Sequence, residues 1–212
     1  MSEATASAKV SSSEQTRGLL VAAATRLFAE RGLDGVSLAE INRAAGQRNA
    51  TALHYHFGGR EGLLQAIFDK HRPRVELHRA QLFSMLGAEP EMEELASALI
   101  LPLLEQVSDS DGGIDYLQFL AQLMNHSQLG ARELDQEDSP LLKRQQHMFA
   151  AALKHMSPAV RELRLGFAVL MAFNSLGAYA AKVRRDGFDA AYHQLVAEQL
   201  VATFAAVLDF SG

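Results

Sequence analysis

The stretch SLAEINRAAGQRNATALHYHFGGREGLL, Ser37 to Leu64, decides how the whole chain is read. Ser37-Leu38-Ala39-Glu40 has the S-x-x-E spacing of a capping box, in which a serine and a glutamate three residues on satisfy free backbone amides at a helix start. The short helix opened there stops at Gly46. A second short helix covers about Asn49 to Phe57, and Gly58-Gly59 separates it from a long helix that begins at Arg60. Two short helices joined at a glycine turn make a helix-turn-helix, whose second helix enters a major groove while the first crosses the phosphate backbone. Ile41, Ala44 and Ala45 are expected to face the core, with the small Ala44-Ala45 pair allowing close helix crossing.

Working outward, the residues before this stretch form one helix from about Ser13 to Arg31, with Leu19, Leu20, Ala23, Leu27 and Phe28 on one stripe. Gly32 ends it and Gly35 lies in the following turn. The small, polar residues 1–13 are expected to form a disordered tail. Beyond Gly59 every segment again has helical periodicity: 60–86 through Pro73, 91–107 through Pro102, 114–134, 141–155, 157–185 and 189–210. Ser157-Pro158 and Ser139-Pro140 are start signals, with serine as N-cap and proline in the first turn. The expected fold class is therefore all-α: a three-helix head over 14–59 and a larger helical body over 60–212.

Composition narrows the function classes. The chain of 212 residues has 48% hydrophobic and 21% charged residues, enough apolar matter for a core without crosslinks. Cysteine is absent, which removes disulfides, thiolate metal sites and thiol nucleophiles and suits a reducing cytoplasm. The start lacks the apolar run of a signal peptide, and the longest apolar stretch, 166–181, is short for a membrane span. The net charge of −5 is unevenly spread: residues 1–60 carry seven Lys/Arg against five Asp/Glu, the remainder thirteen against twenty. A basic head on an acidic body suits a separate nucleic-acid-reading module.

Phe28-x-x-x-Gly32 with Gly35, Ser37-x-x-x-Ile41-x-x-x-Ala45-Gly46, and Tyr55-His56-Phe57 followed by Arg60-Glu61-x-Leu63 together resemble the TetR family of transcriptional regulators. The resemblance covers about residues 14–64, and its turn between Gly46 and Phe57 is one residue longer than the family's usual spacing. It implies a role for several residues. Ser37 and Arg60 would contact phosphates, as would His54 or Tyr55, while Arg48, Asn49 and Thr51 would read base edges. Chemically, arginine suits guanine, asparagine suits adenine and a threonine methyl suits thymine.

The same resemblance implies a ligand cavity in the body and a homodimer through the last two helices. Cavity candidates are Phe83, Leu103, Tyr116, Phe119, Leu120, Leu123, Met124, Phe149, Met171 and Asn174, with Tyr116, Asn125, His126 and Asn174 as polar anchors. The stripe Leu195, Leu200, Phe204, Val207 and Leu208 is broader than one internal face requires, which suits an interface. The eight histidines, His147 and His155 included, give no compact metal-ligand spacing, and no nucleophile elbow or phosphate loop occurs. The chain is thus read as no enzyme, with no cofactor, no metal and no membrane.

The expected function is a cytoplasmic repressor that binds a palindromic DNA operator and leaves it when a small-molecule effector binds. A ligand-independent repressor or an activator is the alternative reading. A helical enzyme would need a convergent polar site, and an adaptor would leave Ser37, Arg48 and Arg60 unexplained.

Overall fold

A computed structural model describes residues 2–47, 49, 51–126 and 140–209. Among these residues the only regular structure is helical. The head comprises α1 (Ser2–Arg31), α2 (Leu38–Ala44) and α3 (Ala52–Phe57). The long α4 (Arg60–Met85) links it to a body of α5 (Met92–Leu104), α6 (Gly113–Met124), α7 (Pro140–Ala152), α8 (Pro158–Asp186) and α9 (Ala190–Asp209). A 3₁₀ turn, Glu105–Ser108, extends α5 just after Pro102.

Three expectations need correction here. Helix α1 begins at Ser2 and not near Ser13, because no proline or glycine interrupts the chain before Gly18. Ala44 is exposed, and the buried neighbour of Ile41 on α2 is Asn42. The stripe on α9 is an internal face: Leu200, Phe204 and Leu208 are buried in the chain's own core, and only Leu195 is well exposed. The expected extension of α6 to residue 134, and Ser139, lie outside the described residues.

Helix α6 is the centre of the fold. It packs most extensively on α8 and next on α1, so head and body share it. On the α8 side Gly177 makes the approach possible: a Cβ there would lie 2.6 Å from the Cβ of Ala121. On the head side, fully buried Phe119 meets Phe28 of α1 at 6.2 Å and Phe68 of α4 at 5.9 Å between ring centres. Offset and tilted aromatic pairs at such spacings add to their area burial. Ion pairs at the edges, Lys70–Asp111 and Arg74–Asp109 at 2.9 Å, tie α4 to the loop before α6.

Among the described residues one helix, α8, is long and apolar enough by length and composition to cross a membrane. Its small residues Ala168, Ala172, Gly177 and Ala180 are buried within the bundle. On it Val160, Leu163, Phe167 and Leu170 are exposed at steps of three and four residues. That spacing is the a/d seam of a coiled coil.

Buried beside α6, His71 of α4 stacks on Tyr116 with ring centres 4.2 Å apart and planes 10° from parallel. It is only 3% exposed. Burial, with Lys70 nearby, lowers its pKa to about 4 from 6.5, against the opposing pull of Asp109, Asp111 and a Gln106 hydrogen bond. Between those two values the unfolded chain takes up a proton that the folded chain refuses. Folding stability is therefore full above pH 6.5 and falls, by on the order of 3 kcal/mol, as pH drops towards 4. His71→Phe, which keeps the stack, should flatten the fall of melting temperature between pH 7 and pH 5. An unchanged slope would assign the loss to other groups.

Candidate functional site

The head is held by side chains acting on backbone. Ser37 caps α2: its hydroxyl accepts from the Glu40 amide at 3.3 Å, while the Glu40 carboxylate accepts from the Ser37 amide at 2.9 Å. Arg31, at the end of α1, adds a 2.9 Å ion pair to the same carboxylate. The Ser37 backbone and hydroxyl bonds, then Arg31, lower the Glu40 pKa to about 2 from 4.5. What this capping box adds to stability is present above pH 4.5 and fades only as pH falls towards 2.

The turn between α2 and α3 pivots on Gly46, whose φ of +70° is a conformation glycine adopts without steric penalty. Asn42 spans that turn. Its buried side-chain oxygen accepts from the Leu53 amide at 3.2 Å, so α2 caps the first turn of α3 directly. Asn49 holds the residue that precedes α3, accepting from the Thr51 amide at 3.0 Å and the Thr51 hydroxyl at 2.7 Å.

The outer side of α3 is open. Thr51, His54 and Tyr55 are exposed, with Asn49 just before them, and Tyr55 is 83% exposed. His56 and Phe57 turn inward, Phe57 packing on the core beneath the Arg17 guanidinium at 5.2 Å from its ring centre.

In the body, α4, α5, α6, α7, α8 and α9 enclose a cavity of about 280 Å³. Its walls are mostly apolar, among them Phe68, Leu103, Tyr116, Leu123, Phe149 and Phe204. The polar lining residues are Arg72, Glu76 and Arg79 of α4 and Gln145 and Gln146 of α7, with Tyr116 of α6.

A capped two-helix reading unit joined through one long helix to a hollow helical body is now in place, and residues 20–67 match the model of bacterial regulatory proteins, tetR family. The head over residues 20–67 is thus similar to that of the TetR family of bacterial regulatory proteins. No curated protein matches it. Similar solved structures include a TetR-family transcriptional regulator from Rhodococcus sp. at 16% identity, covering 92% of this chain and 100% of that one with a TM-score of 0.44. Another is a TetR-family regulator from Mesorhizobium loti, at 18% identity over 92% and 97% of the two chains and a TM-score of 0.42. A third is RolR in complex with resorcinol, at 20% identity over 95% and 96% with a TM-score of 0.40.

Within this TetR-type head the residues singled out by sequence divide. Asn49, Thr51, His54 and Tyr55 lie together on or beside the open side of α3, and Ser37 is exposed at the start of α2. Arg48 lies outside the described residues. Arg60 faces inward: its guanidinium donates to the carbonyls of Leu33 at 2.6 Å and Val36 at 2.5 Å and lies 5.3 Å from the Phe28 ring centre. It thus fastens α4 to the loop between α1 and α2.

Of the expected cavity residues, Leu103, Tyr116, Leu120, Leu123, Met124 and Phe149 do line the space. Phe83 is buried away from it under Arg144, Phe119 fills the core, and Met171 packs against that core. Asn174 is exposed and accepts from Asn125 at 2.8 Å, while His126 pairs with Asp34 of the head at 3.3 Å. The polar anchors come instead from α4 and α7. Arg72, Glu76 and Arg79 recur at steps of four and three on α4, a spacing that marks one helix face; nothing local marks that face as inward.

Arg60→Met keeps the stem over Phe28 and removes the donors to Leu33 and Val36. Two charge-assisted bonds are lost, so urea unfolding should show about 2 kcal/mol of destabilisation. The slope of log DNA affinity against log salt should stay at the wild-type value. A stable variant whose slope falls by about one would make Arg60 a phosphate contact instead.

Proposed function

We propose that this chain is a TetR-family transcriptional regulator and a ligand-responsive repressor, binding a palindromic double-stranded operator as a homodimer and leaving it when a small molecule fills the body cavity. The observation that carries this reading is the double position of Tyr116. Its ring lines the cavity, and it lies 6.3 Å from Phe119, which contacts Phe28 of the head at 6.2 Å. Arg60 lies over Phe28 and holds the carbonyls just before α2. Helix α4 runs alongside, contributing Phe68 and Arg79 to the cavity and Leu63 and Ile67 to the buried base under α3.

A ligand that repositions Tyr116 or the α4 wall changes the seat of α2 and α3. It shifts the DNA equilibrium only by as much as it prefers the released conformation. Each head has one short reading helix, so tight binding draws on two heads placed on successive major grooves. The exposed Val160–Leu163–Phe167–Leu170 seam of α8 supplies the surface for pairing two copies. For DNA contact the head offers Asn49, Thr51, His54 and Tyr55, with Arg48 before them and Ser37 at the phosphate backbone. Such a regulator acts in the cytoplasm.

Two measurements test these parts separately. Tyr55→Ala should leave thermal stability within about 0.5 kcal/mol, as exposed substitutions do. It should weaken binding to DNA from the gene's own upstream region about tenfold by fluorescence anisotropy; unchanged affinity would take Tyr55 out of the interface. Phe167→Glu places a charge in the α8 seam and should yield monomers by light scattering, with operator affinity lost in proportion. A dimer that persists in this variant would move the interface off α8.

A further inference from the structure

Thr51 stands in the N-cap position of α3, yet its side chain makes no capping bond there. Its hydroxyl donates instead to Asn49 Oδ1 at 2.7 Å. The first amides of α3 are therefore met from outside the helix: Ala52 donates to the Asn49 carbonyl at 3.1 Å, and Leu53 to Asn42 Oδ1 at 3.2 Å. Every helix leaves its leading N–H groups open, and one of six residues has little cooperativity of its own to hold it.

Asn42 acts at both ends of the turn that separates α2 from α3. Its backbone carbonyl accepts from the Gln47 amide at 2.9 Å, just past Gly46, and its side-chain oxygen accepts from Leu53, eleven residues on. It lies within α2 and is 3% exposed, a place where asparagine is costly both as a helix former and as a buried amide. Alanine or leucine would serve α2 better on both counts. What asparagine adds is a link across the turn, from α2 to the first turn of α3. Leu53 is buried there, while Thr51, His54 and Tyr55 face outward.

Such a link bears unequally on the two kinds of DNA contact. Hydrogen bonds to base edges weaken steeply once distance or angle departs from the ideal, so reading groups must be held to within about 0.5 Å. Attraction between a cation and phosphates falls only as the inverse of their separation. A small change in the seat of α3 thus removes sequence preference before it removes general affinity.

We propose that Asn42 is a positioning residue for sequence reading, setting α3 against α2 so that its outward side chains meet base edges in register. Buried beneath the reading surface, Asn42 acts through α3 and not by touching DNA. This rests on the DNA-binding reading above and adds the residue that sets its specificity.

The test uses the full-length protein and two duplexes: the site that wild type selects most strongly from a random-sequence library, and the same duplex with that site scrambled. Fluorescence anisotropy over a salt series gives both affinities and the salt slope. Asn42→Leu keeps the volume and removes the acceptor. It should lower the ratio of the two affinities by about tenfold or more, as a misread base pair does. The affinity for the scrambled duplex should stay within about threefold of wild type, with the salt slope unchanged. Asn42→Asp keeps an acceptor and should hold the ratio at the wild-type value. Circular dichroism and urea unfolding give the folded fraction of each variant.

A folded Asn42→Leu protein with the wild-type ratio, or with equal losses on both duplexes, overturns the proposal. So does an Asn42→Asp ratio about tenfold below wild type, and this arm decides even where Asn42→Leu fails to fold. A wild type that selects no site overturns the DNA-binding reading together with the proposal, whereas the other outcomes leave that reading standing.

Discussion

Phe119 is wholly enclosed, with Phe28 of α1, Phe68 of α4 and Tyr116 of its own helix around it. Three helices that belong to different parts of the molecule meet on this one ring. Truncating a phenylalanine in such a site commonly costs 3–5 kcal/mol, because neighbours cannot collapse into the space. The head needs that contact, since α2 and α3 are seven and six residues long and cannot stand alone. The body needs it as well, because the same ring backs the wall on which Tyr116 closes the cavity.

Around this apolar joint the head is set by polar contacts aimed at backbone. Asn42 holds the amide of Leu53, Arg60 holds the carbonyls of Leu33 and Val36, and Ser37 and Glu40 cap each other. Each replaces water at a group that a short helix or tight loop leaves open. The result leaves Thr51, His54 and Tyr55 facing outward from a braced support. A reading surface needs that division, because side chains used for bracing are unavailable to a partner.

What the sequence could reveal follows the range of the interactions. The Ser37–Glu40 box, the glycine stops at Gly32 and Gly46 and the inward Phe28 depend on neighbours within a few positions, and all stand as the pattern indicates. The open face of α3 was legible for the same reason. Arg60 at a helix start has the place of a DNA contact, but the carbonyls it holds lie 24 and 27 residues away, beyond local pattern. Arg79 and Gln145 look like solvated residues on polar helices, and only the packing of α4 against α7 buries them. The apolar stripe of α9 is too broad for one internal face by pattern alone, because periodicity counts apolar positions without saying which element covers them. The exposed seam proved to lie on α8.

Gly177 brings the α6 and α8 backbones together with no side chain between them, a Cβ at that position falling 2.6 Å from Ala121. Any side chain larger than hydrogen at position 177 would press on the Ala121 methyl, so the closest approach of α6 to α8 hangs on a single missing carbon.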